Sequence, residues 1–226
     1  MTRREILPLS IFVALALVPF AATFGAENFL LSIVIRAMIF AIAAVSLDLI
    51  LGYGALVSFG HAAFLGIGAY AVGILSAHGV REAALQLPIA LLASAAFALV
   101  TGALSLRTKG VYFIMITLAF GQMAFFFAIS LAAYGGDDGM TLPGRSLFFG
   151  IESGRRDRSF YFIVLALLIA SYGLCRALVV SRFGRVIRGA RENPQRMAAI
   201  GYSLFRYQLA IYVISGTLCG LAGFLL

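Results

Sequence analysis

The residues able to do chemistry are few, and they gather at one junction. Asp48 is the acidic residue set deepest in a long apolar run, and His61 opens the next such run. A carboxylate and an imidazole at membrane depth can relay protons, the chemistry of a proton-coupled carrier. The same two groups can instead satisfy backbone atoms or each other at a helix junction, with no transport role. Between them, Gly52, Gly54 and Gly60 interrupt the helical pattern, with Ser58 in the gap. Irregular backbone at membrane depth is tolerated where it is enclosed by protein or lines a cavity. Ser58, His61 and freed carbonyls could then contact a polar solute, while a tight glycine-packed turn is the alternative. Tyr112, Thr117 and Gln122 form a second polar row, although a spacing of five drifts off one helix face.

Covalent catalysis is not expected. HExxH, GxSxG and paired intramembrane aspartates are absent from the chain, so neither a metal cluster nor a nucleophile with its base is assembled. A phosphate loop needs a lysine before Ser or Thr, yet the single lysine, Lys109, precedes Gly110. Any energy from ATP must therefore come from another subunit, and no cofactor is expected in this chain. Cys175 and Cys219 sit in apolar helices without a spacing motif, which fits buried structural thiols.

The elements that must position these residues are membrane helices. The chain has 226 residues, 62% of them hydrophobic and 12% charged, with a mean hydropathy of +1.04. Its apolar runs approach or exceed the roughly 20 residues that cross about 30 Å of hydrocarbon. Strands of a membrane barrel would alternate over about 10 residues, and these runs do not. We expect an all-α polytopic bundle forming one domain over residues 1–226. It has about seven spans: Leu7 to Phe24, Phe29 or Ala37 to Leu51, Leu56 to Ala77, Leu87 to Leu106, Val111 to Ala133, Phe160 to Val180, and Tyr207 to Leu226. The first follows Arg3 and Arg4 like a signal peptide, but weak cleavage chemistry around Ala22 to Ala26 favours an uncleaved helix. Arg36 is placed at the outer interface, with the second span starting near Ala37, because burying an unpaired arginine costs several kcal/mol.

Charge orients the bundle. A cytoplasmic N-terminus puts Arg3, Arg4, Arg107, Lys109, Arg176, Arg182, Arg185, Arg188, Arg191, Arg196 and Arg206 inside. Only Arg81, Arg145, Arg155, Arg156 and Arg158 lie outside, which satisfies the positive-inside rule. The net charge of +8 thus reports topology and contact with lipid headgroups rather than nucleic acid. The longest inner connection is the basic segment 181–206. Its first part, Ser181 to Arg191, lacks a steady apolar period, whereas Asn193-Pro194 is a helix-start signal and Gly201 can end a short helix. Small residues at Ala62/Gly66, Ala69/Gly73 and Gly216/Gly220 permit close helix packing.

Three segments resemble a known family. They are DLILGYGALVSFGHAAFLGIGAYA (Asp48 to Ala71), RTKGVYFIMITLAFGQM (Arg107 to Met123) and the basic segment with the span after it (Arg182 to Leu221). All look like permeases of branched-chain amino acid ABC importers, of the LivM type, and the outer loop GGDDGMTLPG is similar as well. The resemblance implies one of two permease subunits in the bacterial inner membrane. Two ABC ATPases would bind inside and a periplasmic substrate-binding protein outside. It also implies that the coupling role falls on Arg191, Glu192, Asn193, Pro194, Gln195, Arg196, Ala198, Ala199 and Gly201. Branched-chain amino acids are the implied solutes, and related permeases handle urea, short amides and aromatic acids. Relatives usually continue through further spans, so C-terminal truncation at Leu226 is expected. Departures from the family pattern are Asp48, where a neutral polar residue is common, and the glycine arrangement of GYGALVSFGH.

Overall fold

The computed structural model describes residues 3–21, 27–80, 82–131, 134–136 and 157–226. The outer loop GGDDGMTLPG beyond Gly136, the segment Ala22 to Ala26, and Arg81, Arg145, Arg155 and Arg156 lie outside the described residues. In chain order the helices are α1 (Arg3–Ala21), α2 (Glu27–Asp48), a π-turn (Leu49–Tyr53), α3 (Ala62–Ala77), α4 (Ala83–Ser105), α5 (Val111–Ser130), α6 (Asp157–Val180), α7 (Arg182–Glu192), α8 (Pro194–Ala199) and α9 (Leu204–Leu225). No β-strand forms among the described residues. Among the described residues, five helical stretches are long and apolar enough to cross a membrane: Phe29–Tyr53, Ala83–Ser105, Val111–Ser130, Arg158–Val180 and Leu204–Leu225. Two apolar stretches are shorter, Pro8–Pro19 and Ala62–Ala77.

The core is organised around α9, which packs on α4, α3 and α2. Its last two turns are buried all round, from Leu218 to Leu225. Small residues make this possible. A β-carbon at Gly216 would meet Ala98 of α4 at 2.8 Å, and one at Gly220 would overlap Ser94. The matching stripe on α4 is Gln86, Ala90, Ser94, Ala98, Thr101 and Ser105, all buried and recurring every three or four residues. Gly216/Gly220 therefore pack as expected, and Ala69 meets Gly223 of α9. Gly66 has open space before it, so Ala62/Gly66 borders a cavity instead of a helix.

Two sequence expectations change. Helix α2 runs without interruption from Glu27, so Arg36 lies inside the second span rather than at its outer edge. Twenty-five residues reach about 37 Å, more than the hydrocarbon thickness, and exposed Arg36 can extend its stem along the helix toward the interface. The segment Ser181 to Arg191 is a regular helix. Its buried Val186 and Ile187 and the half-buried Phe183 form one narrow face, and Arg182, Arg185 and Arg188 occupy the exposed one. Ser181 caps it by accepting from the Gly184 amide at 3.4 Å.

A proline explains how α1 joins the bundle. Pro19 has no N–H to offer the carbonyl one turn back, at Leu15. The Tyr161 hydroxyl of α6 donates to that carbonyl at 2.5 Å, and Tyr161 is fully buried.

Candidate functional site

The expected third span, Leu56 to Ala77, is helical only from Ala62. Helix α2 first widens into the π-turn, then the chain turns at Ala55, whose φ of 53° is left-handed, and residues 54–61 climb irregularly into the bundle. Glycine at position 60 allows this. A β-carbon there would run into the Thr117 carbonyl halfway along α5, and one at Gly121 would lie 3.1 Å from the Cα of Gly60. The interrupted segment therefore touches α5 backbone to backbone, and α3 starts deep inside the protein.

His61 stands at that start, 6% exposed. Its Nε2 lies 2.9 Å from Ser46 Oγ on α2, while the Ser46 hydroxyl donates to the Ala43 carbonyl at 2.7 Å. A hydroxyl has one proton, so Nε2–H is the donor to Ser46 and Nδ1 is a bare acceptor. Nδ1 is buried without a partner among the described residues. Ser215 of α9 donates to the Ser46 carbonyl, and the Cys219 thiol approaches the His61 carbonyl at 3.5 Å. These bonds tie α2, the start of α3 and α9 together at one level.

An aromatic chain continues from the histidine. The ring of Phe64 sits edge-on to His61 at 5.3 Å between centroids, to Phe97 at 5.8 Å and to Tyr212 at 5.7 Å. Tyr212 is 1% exposed, and the buried Ser58 Oγ makes no hydrogen bond among the described residues. Beside this layer, α3, α4 and α5 line a half-open cavity of about 920 Å³ whose wall includes Gly60, Gly66, Tyr70, Thr101 and Gln122. Most of its lining is apolar, and the convergent polar groups are few, as in pockets for small solutes.

The sequence-derived candidates therefore separate. Gly52, Gly54, Ser58, Gly60 and His61 belong to one continuous interruption. Thr117 joins them from α5, 1% exposed, while Tyr112 is 73% exposed and points away, so the row Tyr112, Thr117, Gln122 does not share a face. A pair of Asp48 with His61 is not formed. Asp48 is exposed, and its carboxylate lies beside Gly52, where a β-carbon would approach Oδ1 to 2.7 Å. Ser46, Thr101, Tyr212 and Ser215 were not singled out from sequence. The period of small polar residues on α4 could have flagged Thr101, but nothing local marks the other three.

The basic segment has the expected shape over its second half. Asn193 caps α8 by accepting from the Arg196 amide at 2.9 Å, Pro194 occupies the first turn, and α8 has no buried residue. Gly201, with φ of 96°, closes it in the left-handed conformation that suits glycine. Met197 packs on Gly189 of α7. Glu192, Gln195, Arg196, Ala198 and Ala199 are all exposed. Arg191 is exposed as well, and its guanidinium donates to the Gly52 carbonyl near the end of the π-turn. Among the described residues no group of three metal-ligating side chains occurs.

An apolar helical bundle with an interrupted helix beside a half-open cavity defines a multi-pass membrane protein. Residues 29–226 match the family described as branched-chain amino acid transport system, permease component, and the chain belongs to that family, which is a transport family rather than a catalytic one. Two curated relatives carry the description high-affinity branched-chain amino acid transport system permease protein LivM. One is from Salmonella typhimurium (strain LT2), 26% identical over 233 residues, and the other from Escherichia coli (strain K12), 26% identical over 234 residues. Each alignment covers 93% of this chain and 55% of the relative, so the chain spans about half the length of the relatives it matches. No solved structure matches it.

Proposed function

We propose that this chain is one permease subunit of an ABC importer in a bacterial inner membrane, driven by ATP hydrolysis in partner subunits. Its solutes are branched-chain amino acids or related small polar molecules. The chain crosses seven times with its N-terminus cytoplasmic. The five long helices span directly, α1 adds a sixth crossing, and α3 with residues 54–61 makes the seventh. The sixteen residues of α3 reach about 24 Å, and the irregular stretch supplies the rest.

The observation that carries the reading is α8. A six-residue helix, capped at both ends, with no buried residue and with only Met197 turned toward α7, presents its remaining face between two spans and is shaped to enter a partner's groove. Its contact surface combines Glu192, Asn193, Pro194, Gln195 and Arg196 with the small residues Ala198, Ala199 and Gly201, which allow close approach. One of two ABC ATPases docks there, a second permease completes the path, and a periplasmic binding protein delivers the solute. Gly54, Ser58, Gly60, His61 and Thr117 border the path, where the bare Nδ1 of His61 and freed carbonyls offer acceptors.

Ala198→Phe, or Arg196→Glu, should lower ATPase co-purification about tenfold, equivalent to about 1.4 kcal/mol. Unchanged association would sink the docking assignment. Uptake should require the ATPases and survive collapse of the proton gradient. Uptake by the chain alone in proteoliposomes, driven by a pH gradient, would replace the importer with a carrier.

A further inference from the structure

Where α2 ends, its last carbonyls have lost their helical donors. The chain turns at Ala55, and the Leu56 amide reaches back to the Ile50 carbonyl at 3.2 Å, leaving the Gly52 carbonyl free. Helix C-termini leave such acceptors and favour a cation beside them. The group that answers Gly52 comes from far along the chain: Arg191, the last basic residue of α7.

A second contact joins the same two elements. Leu49 of the π-turn and Ile187 of α7 are 2% and 3% exposed, and both belong to one apolar cluster with Ile211 and Leu218 of α9. The Asp48 carboxylate beside Gly52 adds negative charge next to the carbonyl that the guanidinium caps. On its other side α7 is joined to α8 by the Asn193 turn and by Met197 packed on Gly189. From Gly52 the chain leads directly into residues 54–61, to the Gly60 contact with Thr117 and to His61.

We propose that Arg191 is a positioning residue that fixes the interrupted segment to the α7–α8 pair, so that displacement of these helices is delivered to residues 54–61. This rests on the reading of α8 as the ATPase-docking helix. Arg191 then works inward as a strut, while the α8 surface makes the contact with the partner. The remaining basic residues of α7 do not share this role. Arg188, for example, donates to the Val179 and Gly184 carbonyls at the α6–α7 corner.

The test compares Arg191→Ala, Arg191→Lys and wild type. In the full chain in nanodiscs, hydrogen exchange of the amides at 54–61 should speed up at least about tenfold in Arg191→Ala, with α4 and α9 unchanged. Arg191→Lys, which keeps a cationic donor, should restore most of the protection. In the assembled importer Arg191→Ala should cut uptake at least about fivefold while the ATPases still co-purify and hydrolyse ATP. Unchanged exchange at 54–61 overturns the strut, as does loss of ATPase co-purification with that exchange unaltered, which would make Arg191 a docking anchor. Loosened exchange at 54–61 together with intact association in Ala198→Phe would support the strut and overturn the docking reading instead, so the two fail separately. If Arg191→Ala does not accumulate, Arg191→Gln, which keeps N–H donors without the charge, takes its place with the same outcomes.

Discussion

Removing the Ser46 hydroxyl tests whether the interrupted segment is held at the level the structure gives it. Ser46 Oγ is the acceptor for His61 Nε2–H at 2.9 Å, and its own proton goes to Ala43 within the same helix. Ser46→Ala costs little at Ala43, whose carbonyl belongs to the helix ladder, but it orphans a ring N–H on a residue that is 6% exposed. Orphaning a buried donor costs about 1–3 kcal/mol in general, while interhelical hydrogen bonds in membranes average about 0.6 kcal/mol and reach about 1.7. His61 already has an unpartnered Nδ1, so rotating the ring gains nothing, and a cost near the upper membrane value, about 1.5 kcal/mol, is expected. His61→Phe retains the edge contact to Phe64 and removes both nitrogens. Ser46→Ala in that background should cost less than about 0.5 kcal/mol, leaving a coupling energy of about 1 kcal/mol in the double-mutant cycle. The assay is reversible unfolding in mixed micelles followed by far-UV circular dichroism. A coupling energy near zero, with Ser46→Ala equally mild in both backgrounds, would refute the Ser46–His61 bond and the depth assigned to the start of α3.

Other outcomes follow from single contacts. Gly60→Ala would drive a methyl group into the Thr117 carbonyl. It should cost about 1–3 kcal/mol as overpacking and abolish most uptake by separating α5 from the interruption; wild-type stability in the same micelle assay would count against the close approach. Tyr161→Phe removes the hydroxyl that donates to the Leu15 carbonyl and should cost about 1 kcal/mol. Its effect should vanish when Pro19 is replaced by Ala, whose N–H can serve Leu15 instead, and persistence of the full cost in that background would disprove the pairing.

The Arg191 and Ser46 contacts also indicate why an interruption in a helix can be stable. Freed carbonyls and amides need replacement partners, and here those partners are drawn from other helices. The Gly52 carbonyl is answered by Arg191 of α7, while Ser215 of α9 adds a bond to the Ser46 carbonyl and the Cys219 thiol approaches the His61 carbonyl, which also accepts from the Phe64 amide at 3.2 Å. The interruption is accordingly a joint property of four elements. A local substitution in any of them should be felt at residues 54–61.

Much of this protein was legible without a fold. Continuous apolar runs identify membrane helices because the free energy of leaving water scales with apolar area along each segment, independent of its neighbours. The short helix α8 was equally legible, since Asn193, Pro194 and Gly201 act on their own backbone. The amphipathic α7 was missed because three apolar residues, Phe183, Val186 and Ile187, set its face among four arginines. Partners were beyond reach of the sequence. Ser215 meets Ser46 across 169 positions and Arg191 meets Gly52 across 139, and no local pattern encodes such separations. The sequence by itself determined that the chain is a glycine-rich helical membrane protein with a basic, helix-forming connection. Tertiary structure alone decided that His61 belongs to Ser46 rather than Asp48, that Thr117 and not Tyr112 meets the interruption, and that Arg191 reaches the Gly52 carbonyl, because each choice depends on which groups packing brings within reach across separations that no local pattern encodes.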